Sequence, residues 1–153
     1  MVLFAALLIG VIAGLRALTA PAVVSWGAAL GWLDLSQTPL AFMGYRWTPF
    51  VFSLLALLEL VTDQLPSTPS RKVPPQFGAR LVMGALAGAT LGASGGALIA
   101  GLVAGLVGAA IGTFGGAALR GKLALSFGKD RPAAIIEDII AIGGGLLIVA
   151  YLV

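Results

Sequence analysis

The 153-residue chain is 59% hydrophobic and only 10% charged, whereas an ordinary soluble domain is roughly 45–50% apolar and about 25% charged. So few charged side chains cannot cover a water-soluble globule, and lipid is the solvent that removes this need. The lack of cysteine and histidine excludes disulfides, Cys/His zinc sites and catalytic triads with a histidine base. The net charge of +3 is typical of basic cytoplasmic loops, so we expect a lipid bilayer and no nucleic acid as partner.

A helix that spans a membrane needs about 20 mostly apolar residues. The hydrophobic segments on this basis predict an all-α integral membrane protein, with a single transmembrane domain of about five helices. The predicted spans are residues 2–32, 48–61, 77–96, 97–116 and 133–153. The N-terminal run lacks the basic stretch that opens a secretory signal, so it is interpreted as a membrane helix.

The first predicted segment is long for one span and is interrupted by Arg16, Thr19 and Pro21. It is therefore either a kinked span or two half-helices. The residues from 33 to 47 are expected to form a loop or interfacial piece. Tryptophan favours the membrane boundary, and this piece is flanked by Trp26, Trp32 and Trp47.

Two polar loops are predicted, at residues 62–75 and 120–132, and prolines exclude a helix from the first. With five spans, both loops lie on the same side of the membrane. That side carries seven basic residues, and the other side carries only Arg46. The seven are Arg71, Lys72, Arg80, Arg120, Lys122, Lys129 and Arg131. Because basic residues stay inside, this bias predicts a cytoplasmic N-terminus and an external C-terminus.

Glycines recur at four-residue spacing through the third and fourth segments. Residues four apart share one helix face, and glycines there let membrane helices approach closely. The members of this glycine ladder are Gly84, Gly88, Gly92, Gly96, Gly101, Gly105, Gly108, Gly112 and Gly116. The pattern predicts tight packing, either within the chain or between copies in a homodimer or other homo-oligomer. A pore or sliding interface is the functional alternative.

Charged residues inside predicted spans are the candidate site, because each is costly within a membrane. The candidates for an ion or proton site are Glu59, Asp63, Glu137, Asp138 and Arg16. In the functional interpretation the carboxylates line a polar cavity, with Arg16 as counter-charge. In the structural interpretation Arg16 and Arg80 neutralise the carboxylates in a polar network.

A second candidate site lies on the basic loops, where hydroxyl and cationic groups suit phosphate or lipid head groups. Its members are Ser67, Thr68, Ser70, Arg71, Lys72, Arg120 and Lys122. The alternative is that these residues only set the topology and form a rigid turn.

A short internal similarity joins residues 56–61 to residues 134–139, each following a segment that contains a Leu-Arg pair. These pairs are Leu15-Arg16 and Leu119-Arg120. The pattern is compatible with an inverted-topology repeat, which is frequent in transporters.

Three stretches carry a resemblance to a known family: residues 14–22, 59–71 and 134–138, which include Glu59, Asp63 and Glu137. In them the chain resembles the domain of unknown function 4126 family of small bacterial multi-pass membrane proteins. Gln64 stands where that family's pattern leads us to expect a lysine. The resemblance implies a multi-pass protein of the bacterial inner membrane and brings no activity with it.

These features favour a small multi-pass membrane transporter or channel that is ion or proton coupled through an intramembrane acidic layer. The alternative is a non-transporting scaffold or accessory subunit that packs through its glycine ladder. A lipid-modifying enzyme is the least favoured class, so no catalytic residues, cofactor or metal are expected.

Overall fold

The computed structural model describes residues 1–62, 74–128 and 130–152. Over these ranges it is all helical, with 83% helix and no strand. The helices are α1 (Val2–Leu15), α2 (Thr19–Ala29), α3 (Thr48–Thr62), α4 (Pro74–Ser94), α5 (Leu98–Phe127) and α6 (Asp130–Tyr151), with a 3-10 turn at Ala41–Gly44. The predicted site residues Asp63, Ser67, Thr68, Ser70, Arg71 and Lys72 lie outside the described residues.

Among the described helices, three are long and apolar enough to cross a membrane: Pro75–Ser94, Leu98–Phe127 and Pro132–Tyr151. This number is smaller than the five predicted. At about 1.5 Å per residue, the apolar helices α1 and α3, with 14 and 15 residues, fall short of a hydrocarbon core of about 30 Å. The three long helices support a membrane protein.

The first predicted segment is two helices joined by residues 16–18, here called the helix break. α1 ends where Arg16 adopts an extended backbone, with φ −142° and ψ 108°. Pro21 lies in the first turn of α2, where its missing N–H has no intrahelical partner to lose.

The two helices form a hairpin rather than one kinked span. Ile12 of α1 packs on Gly144 of α6, and Val23 of α2 packs on the adjacent Gly145, whereas Arg16 meets Asp138 nearer the start of α6. α1 therefore approaches the break along α6, and α2 returns along it.

Because α1 and α2 form a hairpin, the start of α1 and the end of α2 lie at the same end of the bundle. Val2 packs on Gly95 at the α4–α5 turn, and Val149, near the end of α6, packs on Gly27, near the end of α2. Both termini therefore lie at one end, here called the terminal end. This corrects the expectation of termini on opposite sides, because the first segment turns back instead of crossing.

The opposite end, here called the basic end, holds the end of α3, the start of α4 and the α5–α6 turn. The expected loop at 120–132 is wrong at both ends, because α5 continues to Phe127 and ends at Gly128 with φ 72°, and α6 begins at Asp130. Arg120 and Lys122 are helical. Alanine and leucine favour helix around these charges, and a left-handed glycine is what ends it.

The glycines of the ladder hold α5 between α4 and α1 within this chain. A Cβ added at Gly88 would collide with the carbonyl of Gly101, and one at Gly108 would collide with the carbonyl of Leu7. The buried members are Gly84, Gly88, Gly92, Gly101, Gly105, Gly108, Gly112 and Gly116, while Gly96 is exposed in the α4–α5 turn with φ 76°.

Candidate functional site: charged side chains at the helix break

The helix break exposes backbone groups that a continuous helix would pair. The last carbonyls of α1 and the first N–H groups of α2 have no intrahelical partner. Such groups are costly away from water. Side chains from α3 and α4 supply partners for both sets.

Arg80 of α4 binds the end of α1. Its Nη1 donates to the carbonyl oxygens of Gly14 and Leu15, at 2.9 Å each. The side chain is buried, with the residue only 3% exposed. A cation at a helix C-terminus also complements the helix dipole.

Glu59 of α3 binds the other side of the break. Its Oε2 accepts from the N–H of Ala17 at 2.9 Å, and its Oε1 accepts from the N–H of Leu18 at 3.0 Å. The carboxylate therefore lies at the N-terminus of α2, which favours negative charge. Glu59 is half-buried.

Arg16, in the break itself, binds two carboxylates of α6 and is fully buried. Its Nε donates to Oδ1 of Asp138 at 2.6 Å, and its Nη2 contacts the same oxygen. Its Nη1 lies 3.1 Å from Oε1 of Glu137. The same oxygen of Glu137 lies 3.8 Å from Nη1 of Arg120 on α5.

Together these contacts place six charged side chains in one layer of the bundle, here called the charged layer. It contains Arg16, Arg80 and Arg120 with Glu59, Glu137 and Asp138. Counted over the described residues alone, the layer holds three positive and three negative groups. At about 1.5 Å per residue, the layer lies roughly 10 Å inside the basic end, judged from Arg80 in α4 and Arg120 in α5.

The structure thus brings together four of the predicted acidic-site residues: Arg16, Glu59, Glu137 and Asp138. Among the described residues, Arg80 donates to two backbone carbonyls, a contact that the structural interpretation did not include. Of the predicted phosphate or head-group residues, Arg120 belongs to the charged layer, and Lys122 is exposed on α5.

Sequence reasoning missed the backbone groups of residues 14–18 and the side chain of Thr19. Thr19 is 3% exposed, and its Oγ1 has no hydrogen-bond partner among the described residues. A proline is tolerated in the first turn of a helix but breaks a helix interior, so Pro21 is the signal in the sequence that a helix starts near this position.

A small cavity adjoins the charged layer. It measures about 30 Å³ and is lined by Arg120 and Glu137 among apolar residues. A water molecule needs about 10–15 Å³ of such space, so the cavity is large enough for one. A larger groove of about 460 Å³, which includes Leu40, Leu81 and Leu98, is lined entirely by apolar residues and proline, near the terminal end.

The predicted internal repeat is not reproduced in the local structure of its two Leu-Arg pairs. Leu15-Arg16 ends a helix, whereas Leu119-Arg120 lies inside the 30-residue helix α5. Both arginines nevertheless reach Glu137.

Comparison of the chain with protein-family models, with curated proteins and with solved structures finds no match. The resemblance to the domain of unknown function 4126 family stays a prediction.

Proposed function

We propose that this chain is a small membrane transporter or channel, and not an enzyme, in which the helix break and the charged layer form the ion site. The single observation that carries the proposal is a helix hairpin whose turn lies inside the bundle, with the end of α1 and the start of α2 both bound by charged side chains of other helices. Transporters commonly build their sites from helix ends that lie within the membrane.

The energetics favour a functional role for this arrangement. A hairpin turn at the membrane surface would leave the backbone groups of residues 14–18 to water. Here the turn lies inside the bundle and uses Arg80 and Glu59 as partners, and each charge within a membrane costs roughly 2.5–3.5 kcal/mol on insertion scales. Costly local arrangements of this kind cluster at functional sites.

The contacts at the break also suit an element that moves. Each joins the break to a different helix, so a shift of α3 or α4 relative to the hairpin exchanges hydrogen bonds without unfolding a helix. The nearby cavity beside Glu137 and Arg120 supplies room for water on the side of the basic end. Proton coupling through Glu59 and Glu137 is a part of this proposal.

We assign the basic end to the cytoplasm, because basic residues are retained there. Both termini then lie outside, in a bacterial inner membrane. A homodimer suits the small volume that these helices enclose.

The scaffold alternative depended on the glycine ladder as a partner surface. In this chain the buried glycines of the ladder already pack α5 against α4 and α1. The helix break thus favours transport over the scaffold.

Flux measurements in proteoliposomes test the proposal. Purified protein is reconstituted, and ion and proton movements are followed with an ion-selective electrode and a pH-sensitive dye. We expect flux above that of protein-free vesicles, with at least about a tenfold loss in Glu59→Gln, which weakens charge-assisted bonds worth about 1.5–3 kcal/mol. No flux of any small ion from correctly folded protein would contradict the proposal.

Asp34→Asn is the matched control, since it also removes one carboxylate. Asp34 is exposed in the loop after α2, where it accepts hydrogen bonds from the side chain and backbone of Ser36. The side-chain bond first, and then the backbone bond, hold the pKa of Asp34 below its usual value. It is therefore charged in the assay and lies far from the layer, so flux should be unchanged.

A further inference from the structure

We infer that the terminal end carries a docking surface for the lipid–water boundary, which binds anionic phospholipid head groups through Arg46. This surface, here called the aromatic surface, consists of Arg46 and four exposed aromatic side chains. The aromatic members are Trp32, Tyr45, Trp47 and Tyr151. The inference does not rest on transport, because a scaffold in the same membrane would need the same contact with lipid.

The first argument is where the tryptophan and tyrosine residues lie. The chain has three tryptophans and two tyrosines, at positions 26, 32, 45, 47 and 151. α2 ends and α3 begins at the terminal end, so the segment that joins them lies there, and Tyr151 is the last residue of α6. Tryptophan and tyrosine are enriched where a membrane meets water. Their concentration at one end of the bundle therefore places a boundary at that end.

The second argument is that the joining segment, residues 30–47, is fixed to the bundle while its aromatic rings stay outside. Leu33 and Met43 are buried, and Oγ1 of Thr48 donates to the carbonyl oxygen of Phe42 at 2.6 Å. The aromatic members of the surface, in contrast, are between 52% and 79% exposed. The fold thus buries the aliphatic side chains of this segment and presents the large rings on a held surface, which is typical of an interaction site.

The third argument is that the rings carry polar atoms without a partner in the chain. Among the described residues, none accepts a hydrogen bond from the indole N–H of Trp32 or Trp47. Trp26 differs, because it is half-buried and its Nε1 donates to Oγ of Ser53 at 2.8 Å. A ring with a free donor suits a lipid boundary, where the ring meets acyl chains and the donor reaches head-group oxygens or water.

Arg46 gives the surface its preference for an anionic head group. The side chain is exposed, and its Cζ lies 5.1 Å from the ring centroid of Trp47. Over the described ranges it forms no ion pair with a carboxylate. Stacking on an indole leaves the N–H groups at the edge of the guanidinium free, and this planar set of donors matches phosphate oxygens. A phospholipid phosphate therefore complements both the charge and the donors.

The dimensions of the bundle agree with a boundary at this end. α1 runs from the terminal end to the helix break over 14 residues, about 21 Å at 1.5 Å per residue. The charged layer at the break lies roughly 10 Å inside the basic end by the same measure. Together these distances match a hydrocarbon core of about 30 Å. The aromatic surface at one boundary and the basic end at the other thus hold the break inside the core.

Tryptophan fluorescence of the reconstituted protein tests the position of the surface. Variants that keep one tryptophan, with the other two replaced by phenylalanine, are placed in phosphatidylcholine vesicles brominated at a shallow or a deep acyl carbon. Shallow bromines should quench Trp47 at least about twofold more than deep bromines, because its ring lies at the boundary. Trp26 is the matched control. It packs on Phe50 with ring centroids 5.2 Å apart, so it should be quenched less at either depth.

Brominated anionic lipid tests the role of Arg46, with Trp47 as the reporter. The vesicles contain brominated phosphatidylglycerol among unbrominated phosphatidylcholine, or the reverse. One basic residue near an anionic surface corresponds to about a fivefold preference, so phosphatidylglycerol should be enriched about fivefold around Trp47. Arg46→Gln should abolish this enrichment. Lys122→Gln, which removes an equal charge from the basic end, should leave it unchanged.

The other outcomes overturn the inference. Quenching of Trp47 by iodide in the water, without quenching by bromines, would place the surface in water. Quenching by neither would show that a second copy of the chain covers it. Equal enrichment of the two lipids around Trp47 in the protein with Arg46 intact would overturn the binding of anionic head groups. If loss of Trp26 prevents folding, the difference between wild type and Trp47→Phe gives the quenching of Trp47.

Discussion

The contact between α4 and α5 depends on the absence of a side chain at Gly105. A Cβ added there would lie 2.9 Å from Cα of Gly88 and would also collide with the carbonyl of Gly84. Carbon atoms in ordinary contact are about 3.5–4.0 Å apart, so Gly105→Ala would force the two helices apart by roughly 0.6–1 Å. Overpacking of this kind costs typically about 1–3 kcal/mol.

Gly115→Ala is the matched control in the same helix, since nothing lies within 4 Å of a Cβ added at Gly115. Replacing glycine by alanine favours a helix by up to about 1 kcal/mol, and this gain is common to both variants. The difference in unfolding free energy between Gly105→Ala and Gly115→Ala therefore isolates the packing cost. We expect Gly105→Ala to be less stable by about 1–3 kcal/mol in thermal or denaturant unfolding in detergent. Equal stability would refute the close approach of α4 and α5.

Three further results are expected. Arg80→Leu should lower the unfolding free energy by about 1–3 kcal/mol, measured by the same unfolding assay, because two buried carbonyls lose their donor; unchanged stability would contradict that role. Arg16→Lys should also destabilise, since lysine cannot reproduce the forked contacts to two carboxylates; a melting temperature equal to that of wild type would contradict the buried network. The chain has no cysteine, so a single introduced cysteine shows on which side of the membrane its position lies. A membrane-impermeant thiol reagent should label Ser36→Cys only from outside and Ser126→Cys only from the cytoplasm. Labelling of both from one side would contradict the assigned ends.

Hydrophobicity predicted the later helices well but not the first segment. Residues 48–61 and 133–153 were expected as helices, and α3 and α6 cover Thr48–Thr62 and Asp130–Tyr151. Hydrophobicity does not show, however, in which direction each helix runs through the bundle. A hairpin and a kinked span have the same composition, so only tertiary packing on α6 distinguishes them.

The charged layer was partly predictable because buried charges need partners. Arg16 with Glu137 and Asp138 follows from this rule, since each would otherwise be a lone charge within the bundle. The roles of Glu59 and Arg80 did not follow. Within the described ranges they bind backbone groups, which become available only because α1 ends at residue 15, and the sequence shows side chains rather than unpaired backbone.

The most direct test of the helix break as an ion site is whether water reaches it from the basic end. Leu18→Cys places a thiol in the break, where Leu18 is half-buried, and a small charged thiol reagent is added from either side of the membrane. The account predicts labelling from the basic side only. No labelling of Leu18→Cys from either side, with Ser126→Cys labelled normally, would contradict it and leave the charged layer as a dry structural network.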